Sequence, residues 1–146
     1  FFDFTVSLTI SAAQVASLIA NPSSISGYSA SGPIIITGAI THTQANSLNS
    51  VDATYIQATI SETTAANLAA ISVDNSTRAS LNKFSVVVSD TTATAAELNA
   101  VSAITSVAAD FTNITGVEAS SSADITTLYT GTGTGLFGCH AACCRI

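Results

Sequence analysis

Five stretches of the chain align without a gap: residues 11–18 (SAAQVASL), 41–48 (THTQANSL), 61–68 (SETTAANL), 91–98 (TTATAAEL) and 121–128 (SSADITTL). Each opens on Ser or Thr, and each carries a leucine seven positions later: Leu18, Leu48, Leu68, Leu98 and Leu128. The starts lie 30, 20, 30 and 30 residues apart. This recurrence constrains the fold more than any single residue does. Units of about 20–50 residues that cannot bury an apolar face alone must stack on one another.

Each stretch has the chemistry of a short helix. A Ser or Thr at the start accepts a hydrogen bond from a first-turn N–H, and Gln14 or Gln44 three residues on completes a capping box. The fifth position (Val15, Ala45, Ala65, Ala95, Ile125) and the leucine are three apart and share one face. That face is narrow and rich in Ala, so it allows close approach to a sheet. Alone, a helix of about ten residues is marginal and must dock.

Period-two patterns precede the helices: Phe4, Val6 and Leu8; Ile34, Ile36 and Ile40; Ile56, Ala58 and Ile60; Phe84, Val86 and Val88. With Thr, Ser and Val between them, these read as strands. Ile114, Thr115 and Gly116 stand before the fifth helix. The expectation is an α/β repeat, a solenoid-like stack of parallel strands, each followed by a short capped helix. Strands are expected near 4–10, 34–37, 55–60, 84–89 and 111–115, and helices from about 11, 41, 61, 91 and 121. The repeat domain spans 1–130, with units near 4–32, 33–53, 54–83, 84–110 and 111–130. Residues 131–146 form a Gly/Thr linker and Cys-rich tail. The connector at 102–107 is apolar enough for an extra short strand. The competing reading is one closed α/β domain whose helices resemble each other through low complexity.

Composition narrows function. Charged residues make up 8% of the chain, against about 25% in a typical soluble domain. Nine acidic residues oppose three basic ones. Without clustered Lys or Arg there is nothing to displace phosphate counterions, so nucleic acid is not an expected partner. Mean hydropathy is +0.50, but no apolar run approaches the roughly 20 residues of a membrane-spanning helix. The chain opens on Phe1, as expected of a processed product or a fragment.

The fourth unit, VVVSDTTATAAELNAV over residues 86–101, resembles the Ala/Thr/Ser-rich tandem repeats of very large secreted and cell-surface proteins of cyanobacteria and other bacteria. Those repeats run strand, Ser-Asp-Thr, then a helix of the Ala-Ala-x-Leu-Asn kind. FTNITG, residues 111–116, is similar to their following segment. The resemblance is close over 84–129 and loose over 4–71, and the tail after Leu136 departs from it. It implies an extracellular structural, adhesive or matrix role and carries no catalytic residues over.

Cys139, His140, Cys143 and Cys144 crowd the last eight residues. Thiolates and imidazole bind zinc or copper, and on a helix Cys139 would share a face with Cys143, and His140 with Cys144. The paired Cys-x-x-Cys knuckle is absent. Incidental thiols, or a bridge that leaves one odd Cys for an intermolecular link, are preferred to a metal site. The run GTGTG at 131–135 lacks the Lys of a phosphate loop and reads as a linker. Asn75 and Asn113 head sequons for N-glycosylation. His42 is expected to be solvated or capping, Arg78 and Lys83 to lie in a solvated turn, and Asp90 and Asp110 to serve caps and turns.

No acid, base and nucleophile set can be named, so no enzyme and no cofactor are expected. The leading expectation is a structural repeat protein outside the cell or on its surface, a subunit of a fibre, sheath or adhesin. Its partners would be copies of itself, joined through strand edges or stacked ends. Phe1, Phe2, Phe4, Val6 and Leu8, on a β-prone N-terminal run, are the first candidate contact, and the Cys tail is the second. The same run can equally form the first strand of its own sheet. The alternative is a module that binds a surface, a glycan or ice through regular Thr arrays, although the expected outward positions mix Thr5, Ser7, Thr37, Gln57, Ser85 and Val87.

Overall fold

The computed structural model describes residues 7–29, 32–72 and 81–130. It is an α/β structure with β1 (Leu8–Ser11), α1 (Val15–Ala20), β2 (Ile34–Ile40), α2 (His42–Leu48), β3 (Ile56–Ile60) and α3 (Ala65–Ala69). The chain continues through β4 (Lys83–Ser85), β5 (Thr92–Thr94), α4 (Ala95–Ala103), β6 (Gly116–Glu118) and α5 (Ser122–Thr130). A 3₁₀ turn, Ala12–Gln14, leads into α1. Strands β1 to β4 form one sheet in chain order, and every pair is parallel. Strands β5 and β6 make a second parallel pair, and Val87 bridges Asp110 in the same sense. No helix among the described residues is long and apolar enough to cross a membrane.

Strand residues alternate between core and solvent. Ile34, Ile36, Ile56, Ala58, Ile60, Phe84, Val86 and Val88 are buried, while Thr9, Thr37, Gln57, Thr59 and Ser85 are exposed. One face of the sheet therefore carries β-branched apolar side chains, and the helices close over it. Leu18, Leu48 and Leu68 are fully buried, Leu98 is 1% exposed, and Leu128 is half-buried. Buried alanines (Ala45, Ala65, Ala95) stand beside Leu48, Leu68 and Leu98 and let those helices lie close to the sheet, while buried Val15 stands beside Leu18.

The strand register is uneven within β2. Ile36 pairs with Ile10, yet Ile40 pairs with Ile60, and the register shifts between Ile35 and Ala39. The shift surrounds Gly38, whose φ of +91° is open to glycine and strained for other residues.

Two expected helix starts are displaced. Units one, two and five cap at Ser11, Thr41 and Ser121, as expected, but α3 and α4 begin at Ala65 and Ala95 rather than near 61 and 91. Neighbouring units hold the intervening residues extended. Ser61 N–H bonds Ile40 O, Ser89 N–H bonds Thr63 O, and Thr115 N–H bonds Thr91 O. Thr94 then caps α4 in a box with Glu97. In consequence the aligned leucine stands seven residues past the cap in units one and two, and four past it in units three and four.

The expected strands at 84–89 and 111–115 are broken up. Regular pairing in the first ends at Ser85, and Val87 makes a lone bridge. In the second, the Asp110 carboxylate takes the N–H of Thr112 and turns the chain, so the strand resumes only at Gly116. The connector at 102–107 holds no regular strand. It carries the end of α4 and a bend tied to β4 by Ser106 N–H to Asn82 O and Thr105 Oγ1 to Phe84 O.

Candidate functional site

The chemistry of this surface lies in contacts repeated between one unit and the next. An isolated helix leaves its first N–H groups without partners. Here the first N–H of three helices is met by a side chain from the following unit. His42 N–H donates to Glu62 Oε2 at 2.9 Å, Ala65 N–H to Asp90 Oδ2 at 2.6 Å, and Ala95 N–H to Ser120 Oγ at 2.9 Å. Further along the helices, Asn46 Nδ2 donates to Ala70 O at the end of α3, and Asn99 Nδ2 donates to Asp124 O in the first turn of α5. Along the strands, Asn82 is buried and its Oδ1 accepts from Ile56 N–H, while Thr37 Oγ1 donates to Ile10 O. Each bond spans 20–27 residues of sequence.

Asp90 and Asp110 hold the cap and turn roles that their positions suggest. The N–H and hydroxyl of Thr112 keep the Asp110 carboxyl below its ordinary value. His42 is more than a solvated side chain. Its Nδ1 lies 3.0 Å from Glu62 Oε1 while its backbone N–H holds the other oxygen. Burial works to raise the pKa of Glu62. Bonds from the His42 ring, from the backbone N–H groups of Glu62 and His42, and from the Ser61 hydroxyl outweigh it, and the carboxyl sits below its ordinary value. Thr43 Oγ1 stands 3.4 Å from His42 Nε2, a long contact, and the short contacts of the group are those of a clasp between His42 and Glu62. Sequence reading passed over Glu62. The signal was its register, since His42 and Glu62 hold the same position in successive units.

Phe1, Phe2, Phe4 and Val6 lie outside the described residues, as do Asn75, Arg78, Cys139, His140, Cys143 and Cys144. Leu8 is 8% exposed and stands on β1, paired with β2 of its own chain. Asn113 is exposed, and its Nδ2 donates to Val88 O at 3.1 Å, which ties up one of the two hydrogens of the amide that a glycan would modify. Among the described residues no three His, Cys, Asp or Glu side chains gather as a metal site. A shallow cavity of about 230 Å³ opens beside Gln57, Thr59, Lys83 and Ser85. Lys83 Nζ lies 4.1 Å from the centre of the Tyr55 ring, a cation–π contact across the sheet.

Each sheet has two edge strands among the described residues, β1 and β4 in the first and β5 and β6 in the second, and of these β1 comes first in the chain and β6 last. The end units differ in charge. No Asp, Glu, Lys or Arg occurs between Asp3 and Asp52, whereas the last unit carries Glu118 and Asp124. No protein-family model, curated protein or solved structure matches the chain.

Proposed function

We propose that this chain is a structural repeat protein of the cell surface or extracellular space. It would be a solenoid-like stack of five units that joins copies of itself into a fibre, sheath or adhesin, with no catalytic role. The observation that carries the reading is the recurring contact between units. A side-chain oxygen of the following unit meets the first N–H of α2, α3 and α4, and an Asn of α2 and of α4 reaches a backbone carbonyl of the following unit, the kind of nearest-neighbour contact from which stacked repeats gain stability. A stack built this way ends on unfinished interfaces. Natural edge strands are usually defended by Lys, Pro or inward charge, and β1, with the sequence Leu8-Thr9-Ile10-Ser11, has none of these.

The extracellular placement rests on the composition and on the repeat resemblance at 84–129. Binding of a flat surface such as ice has less support. The outward positions paired across β1 to β4 read Thr9, Ile35, Gln57 and Lys83, a mixed row rather than a Thr array. Electron microscopy of the purified chain at physiological salt tests the proposal. Filaments or sheets of regular width are expected, and a field of separate small particles would refute it.

A further inference from the structure

Resting on the assembly reading above, we infer that copies join head to tail, with the β1 edge of one copy added in parallel to the β6 edge of another. The first and last units would then repeat the contact made inside the chain.

Leu8 N–H donates to Pro33 O, so Leu8 and Ile10 face β2, and alternation turns the N–H and C=O of Thr9 outward. Gly116 N–H donates to Thr91 O, so by the same alternation the N–H and C=O of Val117 face away from β5. Both edges therefore present backbone groups ready to pair. Inside the chain each strand partner lies 20–26 residues further on, always parallel and always in chain order. A second copy seated on β6 continues that order, with its β1 in the place of a sixth unit.

The side chains agree. Ile71 and Val101, seven residues past the caps of α3 and α4, are buried. The matching residue of α5 is Leu128, which is only half-buried, as are Ile125 and Val117. The first N–H of α2, α3 and α4 meets an acceptor from the next unit, but that of Ser122 in α5 meets none among the described residues. The last unit thus lacks the acceptor and the cover that a following unit supplies to α3 and α4. Charge sets the polarity. Two acidic last units would repel through Glu118 and Asp124, whereas an uncharged first unit brings no like charge against them. A head-to-tail contact does not use itself up, so it propagates into a filament unless the rotation closes a ring.

Thr9→Cys and Glu118→Cys, made in separate chains with Cys139, Cys143 and Cys144 replaced by Ser, test the joint. Thr9 and Glu118 are both exposed, and paired neighbouring strands bring Cα atoms within disulfide range. Mild oxidation of the mixture is expected to give a cross-linked dimer, while either chain alone gives at least tenfold less. A dimer from T9C alone would overturn the polarity. No cross-link in the mixture, with assembly still visible by sedimentation, would overturn the joint and leave the assembly reading intact. The absence of both would defeat both. A second variant, Thr9→Pro, removes an outward N–H and spares the bonds to β2. It should reduce the assembly to a species near the 14.7 kDa chain mass with an unchanged circular dichroism spectrum. A folded T9P chain that still assembles would also overturn the joint.

Discussion

Leucine and carboxylate positions make the sharpest demands on single side chains. Leu68 and Leu98 are sealed between helix and sheet, so truncation to Ala leaves a cavity as well as losing transfer free energy. Each should cost about 2–5 kcal/mol in urea unfolding. Leu128→Ala, at a half-buried site, should cost clearly less, and equal losses at all three would contradict the burial pattern. Glu62 makes a pH prediction with a definite sign. Its carboxyl titrates lower in the folded chain than the ordinary value of 4.5, so its contribution is complete above that value and is lost as pH falls through the lowered one. Wild type should therefore be more stable than Glu62→Gln at pH 6. The two should converge in acid, and a gap that widens below pH 4 would contradict the clasp.

At the level of helices and strands, the displaced starts of α3 and α4 give a paired test. Thr94 makes a capping box with Glu97, whereas Thr91 lies in a bend just before β5 and three residues ahead of the cap. Thr94→Ala should lose about 0.5–2 kcal/mol of stability, and Thr91→Ala should be close to neutral in the same thermal melts. The reverse order would place the helix start at 91. Gly38→Ala should also destabilise, because φ of +91° strains any residue with a Cβ. The parallel strands, the five short helices and the inward leucines of α1 to α4 were legible in the sequence, since period two and period three to four survive in a chain so rich in Ala, Ser and Thr. The helix starts in units three and four were not. Every unit offers a Ser or Thr at its head and a second one three residues later in TTAT and SETT, and which of them caps is decided by bonds from the adjacent unit. The break at 111–115 was hidden for a related reason. Asp110 was recognisable as a turn residue, but its capture of Thr112 N–H interrupts a strand that Phe111 and Ile114 otherwise suggest.

Across the molecule as a whole, neighbouring units hold one another through groups that local sequence patterns do not pair: His42 with Glu62, Ala65 with Asp90, Ala95 with Ser120. Those contacts were visible only as equivalent positions in successive repeats. On the proposed solenoid reading, they would make the stack cooperative at short range and leave its ends unfinished. Few charges separate one copy from the next, and physiological salt screens even the net charge of −6 beyond about 8 Å. The alternating apolar face of β1 holds Leu8 and Ile10 in the core, so deleting residues 1–10 would damage the fold along with the edge; the intact chain is the better subject. Analytical ultracentrifugation over a wide concentration range at physiological salt tests the central claim most directly. The expected result is a mass that climbs with concentration to large, polydisperse species, with little change on adding a reducing agent because the strand edges are the link. A single species near 14.7 kDa at every concentration would contradict it.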